Sequence, residues 1–217
     1  MQTETPLVVI TGTSGRLGRV AAREFQKAGY RVVGLERSIP DGSPIPVLTA
    51  DVTSDASVTE AFDRISAEHG TPSVILHTVG MWSMAPLAET TLSEWQTMMD
   101  VNLTSSFLVF REGARRMSGK GGTLIAISSQ QGSVRGTAQQ AAYSASKAGV
   151  VRLVEAVAAE YADEGIRAHA VAPSMILFGG EEEGTKGVMA EDLAAHFLYL
   201  ASPAGASLNG SVLKAFG

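Results

Sequence analysis

The chain has 217 residues, of which 45% are hydrophobic and 18% charged, a composition typical of a folded globular protein with a substantial core. The net charge of −5 arises from scattered residues, so the sequence lacks the clustered basic surface of a nucleic-acid-binding protein. Cysteine is absent, which excludes disulfides, thiol nucleophiles and thiolate metal ligands, and no other metal-binding spacing is present.

The amino terminus leads directly into an apolar strand, without a basic leader region or a cleavage site of small residues. No apolar run is long enough to cross a bilayer. We therefore expect a cytoplasmic protein that does not associate with membranes. Because no repeat, low-complexity tract or linker divides the sequence, we also expect one domain over residues 1–217.

Short apolar runs alternate with longer segments of helical spacing along the chain. The apolar runs predict strands covered on both faces, at Leu7–Ile10, Arg31–Leu35, Val47–Leu48, Val74–Leu76, Thr123–Ile127, Arg167–Ala172 and Ser211–Leu213. The longer segments predict helices at Leu17–Ala28, Ala56–His69, Ser93–Met117, Ala141–Glu164 and Glu191–Ala201. This alternation predicts an α/β protein with a doubly wound Rossmann fold and a parallel sheet of about seven strands.

Some of the predicted helix ends carry local signals. Ser93 with Gln96 fits a capping box, in which each side chain binds the other residue's backbone amide. Gly29, Gly70 and Gly165 each follow a helical segment, where a left-handed residue commonly ends the helix. These signals place one predicted start and three predicted ends.

Three glycines, Gly12, Gly15 and Gly18, follow the first predicted strand and open the first helix. Such a loop turns tightly, lets the backbone approach a pyrophosphate and aims helical amides at its charge. Glu36 ends the second strand 18 residues after Gly18, where a ribose-binding carboxylate is expected. The combination predicts a dinucleotide site, whereas the missing Gly-Lys-Ser/Thr ending gives no support to a nucleotide triphosphatase.

Tyr143 and Lys147 stand four residues apart and share one face of a predicted helix. An ammonium near a phenol stabilises the phenolate, and this lowers the phenol's pKa toward the range useful for proton transfer. The spacing alone is also common on ordinary solvated helix faces. The catalytic interpretation is supported by Ser128 and Ser129, which directly follow the Thr123–Ile127 strand. They therefore lie at the sheet edge where α/β proteins bind ligands.

These motifs together resemble the short-chain dehydrogenase/reductase family over essentially the whole chain. Tyr143 and Lys147 match its Tyr-x-x-x-Lys signature, Ser129 its strand-end serine and Asn102 the helix asparagine of its catalytic tetrad. The resemblance implies that Tyr143 exchanges a proton with the substrate oxygen while Ser129 donates a hydrogen bond to it. Lys147 is then expected to hold the nicotinamide ribose and lower the pKa of Tyr143, and Asn102 to position a water.

The resemblance also implies a nicotinamide cofactor and the residues that hold it. Asp51 and Val52 match the pair that the family sets beside the adenine. The complete predicted cofactor site is Thr11, Gly12, Gly15, Arg16, Leu17, Gly18, Glu36, Arg37, Asp51, Val52, Gly80, Tyr143, Lys147 and Pro173. The implied partners are a small carbonyl or alcohol substrate and further copies of the chain, in a homodimer or homotetramer.

The sequence departs from the family pattern in four places. Gly15 and Arg16 are exchanged relative to the commonest glycine spacing, and His77-Thr78-Val79-Gly80 replaces the usual Asn-Asn-Ala-Gly. Pro173-Ser174 stands in place of Pro-Gly. Only 17 residues, 174–190, occupy the region in which many relatives carry a longer helical substrate lid.

The choice of coenzyme depends on Glu36 and Arg37. A carboxylate at the strand end accepts hydrogen bonds from the adenosine ribose and repels a 2′-phosphate, whereas arginine binds that phosphate. We rank Glu36 higher because neighbouring residues on an extended chain point in opposite directions. The expected cofactor is NAD, with NADP the less favoured choice.

Two other functions fit part of the sequence. The four departures from the family pattern suggest a dinucleotide-binding regulator that has lost turnover. Such a regulator would not require the complete catalytic tetrad, which this sequence retains. A sugar-nucleotide epimerase shares the glycine spacing, but it needs an added substrate domain. Met81, Trp82, Met84, Met175 and Phe178 fit an apolar substrate wall or simple packing equally well, while His77 and His169 are interpreted as hydrogen-bonded core residues.

Overall fold

The structure is a computed structural model that describes residues 5–39 and 41–217. The strands are β1 (Leu7–Thr11), β2 (Arg31–Glu36), β3 (Val47–Thr49), β4 (Val74–His77), β5 (Gly122–Ile127), β6 (Ile166–Pro173), β7 (Ile176–Leu177), β8 (Val188–Met189) and β9 (Val212–Ala215). The α-helices are α1 (Arg16–Lys27), α2 (Asp55–Glu68), α3 (Leu92–Met99), α4 (Ser105–Met117), α5 (Gln130–Ser133), α6 (Ala141–Glu160) and α7 (Ala190–Ala201). A π-helical turn, Asp100–Thr104, joins α3 to α4.

Seven strands form one parallel sheet in the order β3-β2-β1-β4-β5-β6-β9. The predicted doubly wound fold is therefore confirmed. The strand order reverses between β1 and β4, and the crevice at such a reversal is where open α/β sheets bind ligands.

Helices cover both faces of the sheet. Phe25 of α1 and Phe197 of α7 pack in one buried cluster, while Phe62 of α2 and Phe110 of α4 pack in the other. Side chains of the central strands β1, β4 and β5 alternate between the two clusters, so these strands are apolar at most positions. This alternation explains the continuous apolar runs in the sequence.

The helix predicted at Ser93–Met117 differs from the observed one in its start and its continuity. The N-cap is Thr91, whose hydroxyl accepts a hydrogen bond from the Glu94 amide while Glu94 accepts one from the Thr91 amide. Predicting Ser93 with Gln96 as the box was wrong by two residues, because the charged Glu94 acceptor forms the stronger reciprocal pair. The π-helical turn then divides the segment, and periodicity alone did not indicate it.

The other predicted helix ends agree more closely with the structure. Gly29, Gly70 and Gly165 all adopt the predicted left-handed conformation, with φ of 86°, 90° and 72°. Gly165, however, follows a separate short turn at Ala162–Glu164, because α6 itself ends at Glu160.

The segment 174–190 is short but partly ordered. Its β7 and β8 form a small parallel ladder that pairs Ile176 with Val188. The Ser174 hydroxyl donates to the Phe216 carbonyl at 2.7 Å, which joins the segment to the carboxyl terminus.

Candidate active site

The glycine loop after β1 has the conformation that a phosphate site requires. Gly12 has φ of 78°, and a Cβ on Gly18 would lie 2.1 Å from the Gly12 carbonyl oxygen. Gly15 is the N-cap of α1 and supplies no side-chain cap, so the first amides of this helix have no capping side chain as a partner. An anion fits there, because unsatisfied amides and the helix dipole both favour negative charge.

Glu36 lies at the end of β2, as predicted, but its carboxylate is occupied by the glycine loop. It accepts hydrogen bonds from the Thr13 hydroxyl at 2.7 Å and the Ser14 hydroxyl at 2.8 Å, and also from the Ser14 amide. Glu36 is buried. The Glu36 carboxylate therefore orders the glycine loop and also lies beside the predicted ribose position.

A cavity of about 170 Å³ lies beside Glu36, at the carboxyl ends of β2 and β3. Arg37 lines it together with Glu36. Val52 is also part of the lining, while the Asp51 carboxylate accepts hydrogen bonds from Thr53 that lower its pKa. This cavity suits the adenosine end of a dinucleotide.

Lys147 is buried at the centre of the site. Its Nζ donates to the Ile127 carbonyl at 2.8 Å, and burial lowers the pKa of its ammonium to about 8. A Cβ on Gly80 would lie 3.1 Å from this Nζ and 3.1 Å from Asn102 Oδ1, so Gly80 leaves the space that both side chains need. An ammonium has three donors, which leaves Lys147 with donors for ribose hydroxyls.

Tyr143 and Ser129 are also brought together here. Burial raises the pKa of the Tyr143 phenol, and a hydrogen bond with the Ser129 side chain partly opposes that shift. Ser129 lies two residues after the end of β5, and its hydroxyl also accepts a hydrogen bond from the Gly132 amide at 3.1 Å. The pKa of Tyr143 therefore lies above its ordinary value, whereas the resemblance implied that Lys147 would lower it.

Asn102 is fully buried within the π-helical turn. Its amide pairs with the backbone of Met81, accepting from the amide nitrogen at 2.8 Å and donating to the carbonyl at 3.0 Å, and it also donates to Ser146. The side chain thus fixes the loop after β4 against α6. Positioning of a water by Asn102 remains a prediction.

His77 is a hydrogen-bonded residue of the core. Its Nδ1 lies 2.8 Å from the Thr11 hydroxyl and its Nε2 lies 2.9 Å from the Ser105 hydroxyl. The Ser105 hydroxyl donates onward to the Val101 carbonyl, and the Thr78 amide donates to Thr11 Oγ1. A neutral imidazole protonated at Nε2 fits these hydrogen bonds, because Nε2 then donates to Ser105 and Nδ1 accepts from Thr11. Burial lowers the pKa of His77 to about 3, which favours this neutral form.

Arg16 links the glycine loop to the segment 174–190. Its guanidinium lies 3.9 Å from the centre of the Phe178 ring and 3.8 Å from the Glu181 carboxylate. Phe178 therefore contacts Arg16, whereas the sequence assigned it to a possible substrate wall. Trp82, Met84 and Met175 of that wall are exposed side chains.

Several contacts at the site were not predicted from the sequence. Thr13 and Ser14 bind Glu36, and Ser146 joins Asn102 to the Tyr143 carbonyl. Hydroxyl residues inside the glycine loop and inside the Tyr-x-x-x-Lys segment were a visible signal. Their partners lie far away in sequence, so spacing alone could not identify them.

No helix in residues 5–39 and 41–217 is long and apolar enough to cross a bilayer. Within the same residues, no group of three or more acidic or histidine side chains is arranged to hold a metal ion.

The site and fold agree with comparisons with known proteins. A family model described as short chain dehydrogenase matches residues 6–184. The chain therefore belongs to the short-chain dehydrogenase family.

Individual relatives match almost the whole chain. The D-threitol dehydrogenase of Mycolicibacterium smegmatis is 26% identical, over 95% of this chain and 90% of the relative. The cis-4-hydroxycyclohexanecarboxylate dehydrogenase of Sinomonas cyclohexanicum is 31% identical, over 97% of this chain and 95% of the relative. The crystal structure of gox2181 superposes with a TM-score of 0.89 at 25% identity, covering 99% of this chain and 95% of that one. The protein is accordingly an oxidoreductase of this family, for which a nicotinamide cofactor is implied.

Proposed function

We propose that this protein transfers hydride between NAD and a small alcohol or carbonyl substrate, with Tyr143 as the acid and base. The observation that carries the proposal is the convergence of Ser129, Tyr143 and the buried Lys147 at the sheet edge that also holds the glycine loop. Dehydrogenase relatives that match almost the whole chain support it.

The residues present fit a nicotinamide dinucleotide. The uncapped start of α1 would bind the pyrophosphate, the cavity at Glu36 the adenosine, and the spare donors of Lys147 the nicotinamide ribose. When bound, this cofactor supplies or accepts the hydride.

The protein's own groups handle the proton. In reduction, the Tyr143 hydroxyl donates its proton to the carbonyl oxygen that becomes the alcohol, and in oxidation the phenolate takes that proton back. Ser129 donates a hydrogen bond to the same oxygen, which stabilises the negative charge that develops there. Lys147, with a pKa of about 8, remains largely protonated at neutral pH, and its charge would favour the phenolate once coenzyme and substrate are in place.

We propose NAD over NADP because Glu36 places negative charge where a 2′-phosphate would lie. Arg37, which also lines this cavity, opposes the preference, so we expect the preference for NAD to be modest.

One catalytic domain, a cytoplasmic location and a homodimer or homotetramer remain predictions. Support for assembly comes from the outer faces of α4 and α6, where the half-exposed Phe107 lines a groove of about 190 Å³ together with Leu153. A shared apolar groove on neighbouring helices is typical of a self-association surface.

A screen of alcohols, aldehydes, ketones and quinonoid compounds with both coenzymes, followed at the nicotinamide absorbance, tests the proposal. We expect turnover with at least one alcohol and carbonyl pair. A complete blank combined with tight coenzyme binding would favour the alternative, a regulator that kept the dinucleotide site.

A further inference from the structure

Gly132 lies in the short helix α5 and contacts both the serine and the lysine of the site. Its backbone amide donates to the Ser129 hydroxyl at 3.1 Å. A Cβ on Gly132 would lie 2.5 to 2.6 Å from the carbonyl carbon, the carbonyl oxygen and the Cβ of Lys147. Gly132 can therefore join Ser129 to Lys147 only because it has no side chain.

Lys147 is the fixed side of this contact. Its carbonyl accepts a hydrogen bond from the Ser128 hydroxyl at 2.9 Å, and its Nζ donates to the Ile127 carbonyl at 2.8 Å. The end of β5 thus holds this lysine at its backbone and at its ammonium. Helix α6, which carries Lys147, has 20 residues and is anchored in the core by side chains that include Val150 and Val154.

Helix α5 is the side of the contact that can move. It has four residues, and none of them is buried. Ser129 is its N-cap, and both the hydroxyl and the carbonyl of Ser129 accept from the Gly132 amide at 3.1 Å. A displacement of α5 away from α6 would therefore carry the Ser129 hydroxyl with it.

The Gly132 amide also orients the Ser129 hydroxyl. A hydroxyl has one proton to donate and two lone pairs, and this amide occupies one of the lone pairs. Accepting a hydrogen bond polarises the hydroxyl and makes it a stronger donor. The bond from Gly132 therefore suits Ser129 to its proposed role as the hydrogen-bond donor to the reacting oxygen.

We propose that Gly132 is a positioning residue of the active site, which holds the Ser129 hydroxyl at its working distance from the helix of Tyr143 and Lys147. Its amide orients the hydroxyl, and its missing side chain sets how closely α5 approaches Lys147. The inference rests on the proposed function, because it assumes that Ser129 stabilises the charge that develops on the reacting oxygen.

Gly132→Ala tests this contact. Carbon atoms pack at about 3.5 Å, so a methyl group built 2.5 Å from the Lys147 carbonyl carbon would move α5 by about 1 Å. A misplacement of this size can cost about 100-fold in rate, so we expect kcat to fall by about that factor. The dissociation constant of NADH should stay within about twofold, because Lys147 and the glycine loop keep their places. Alanine has a higher helix propensity than glycine, so a loss of helix propensity in α5 cannot explain the result.

The pH dependence gives a second readout. The hydrogen bond with Ser129 lowers the pKa of the Tyr143 phenol, so a displaced Ser129 should leave that pKa higher than in the wild type. Alcohol oxidation needs the phenolate, and the acidic limb of its kcat/KM profile should therefore move to higher pH in Gly132→Ala. A structural role that leaves Ser129 in place would not move this limb.

Gly136→Ala is the matched control. Gly136 follows α5, and a Cβ on it would meet the nearest side-chain atoms, those of Ser144, at 3.7 and 3.8 Å, which is an ordinary contact. Its kcat should stay within about twofold of wild type, and the acidic limb of its pH profile should not move.

A double-mutant cycle tests whether Gly132 acts through Ser129. In a Ser129→Ala background the hydroxyl is already absent, so Gly132→Ala should lower kcat by less than about threefold further. A full 100-fold loss in that background would overturn the inference, as would an unchanged kcat in the single variant. Failure of Gly132→Ala to fold would also overturn it, because α5 would then not be free to move.

A crystal structure of Gly132→Ala tests the geometry without any turnover. Ser129 Oγ should lie about 1 Å farther from α6 than in the wild type, and an unmoved Ser129 would overturn the inference. Absence of turnover in the wild type with every alcohol and carbonyl compound would count against the proposed function instead, and the position of Ser129 in the crystal would still decide whether Gly132 sets it.

Discussion

Replacement of His77 by Asn, the residue usual in the family, tests the buried hydrogen-bond chain at the end of β4. The imidazole bridges the Thr11 and Ser105 hydroxyls at 2.8 and 2.9 Å, and a shorter amide can retain only one of these bonds. The group left without this partner is buried, so we expect the substitution to destabilise the fold by about 1–3 kcal/mol at pH 7.5. Urea denaturation measures this difference.

The same substitution should alter how stability depends on pH. An unfolded histidine titrates near pH 6.5, whereas burial lowers the pKa of folded His77 to about 3. Between these values the unfolded chain binds a proton that the folded protein does not, so stability falls as pH falls. At pH 4.5, two units below the unfolded pKa, proton binding by the unfolded histidine lowers the free energy of unfolding of the wild type by about 2.7 kcal/mol. The same change in pH has no such effect on His77→Asn, which lacks the imidazole.

The difference in the free energy of unfolding between wild type and His77→Asn should therefore shrink, or change sign, between pH 7.5 and pH 4.5. Thr11→Val is the matched control, because it breaks one end of the same chain while the imidazole remains. Its difference from wild type should stay nearly constant over that range. A difference between wild type and His77→Asn that is also independent of pH would refute a buried neutral His77.

Three further predictions concern the cofactor and the segment 178–189. NADH should bind about tenfold more tightly than NADPH in fluorescence titrations because of Glu36. Tighter NADPH binding would show that Arg37 and Arg16 determine the choice of coenzyme. Lys147→Ala should weaken coenzyme binding and lower kcat together. A change in stability with unchanged coenzyme binding and kcat would show that Lys147 has only a structural role. Residues 178–189, with glycines at 179, 180, 184 and 187, should exchange amide hydrogens faster than the central strand Thr123–Ile127, and equal protection would show that the segment is packed rather than mobile.

The fold was predictable because both signals that define it are local. Continuous apolar runs indicated strands buried on two faces, and Gly29, Gly70 and Gly165 marked where the chain turns back toward the sheet. The π-helical turn at Asp100–Thr104 was not predictable, because the apolar pattern continues through it.

The site was predictable only in part. The motif residues Ser129, Tyr143 and Lys147 do meet at one sheet edge. The partners that set their chemistry are distant in sequence: Lys147 donates to the Ile127 carbonyl, and the carboxylate of Glu36 is held by the glycine loop. Contacts of this kind depend on the register of neighbouring strands and loops, which no local pattern encodes.

The most direct test of the proposed chemistry is the single-turnover rate of Tyr143→Phe with saturating coenzyme and an alcohol or carbonyl substrate found in the screen. Phenylalanine keeps the ring that packs in the site and removes only the hydroxyl that exchanges the proton. We expect the coenzyme dissociation constant to stay within about twofold, which is about 0.4 kcal/mol, and the hydride-transfer rate to fall by at least about 100-fold. A Tyr143→Phe rate within a few-fold of wild type would contradict the account by removing Tyr143 from the mechanism.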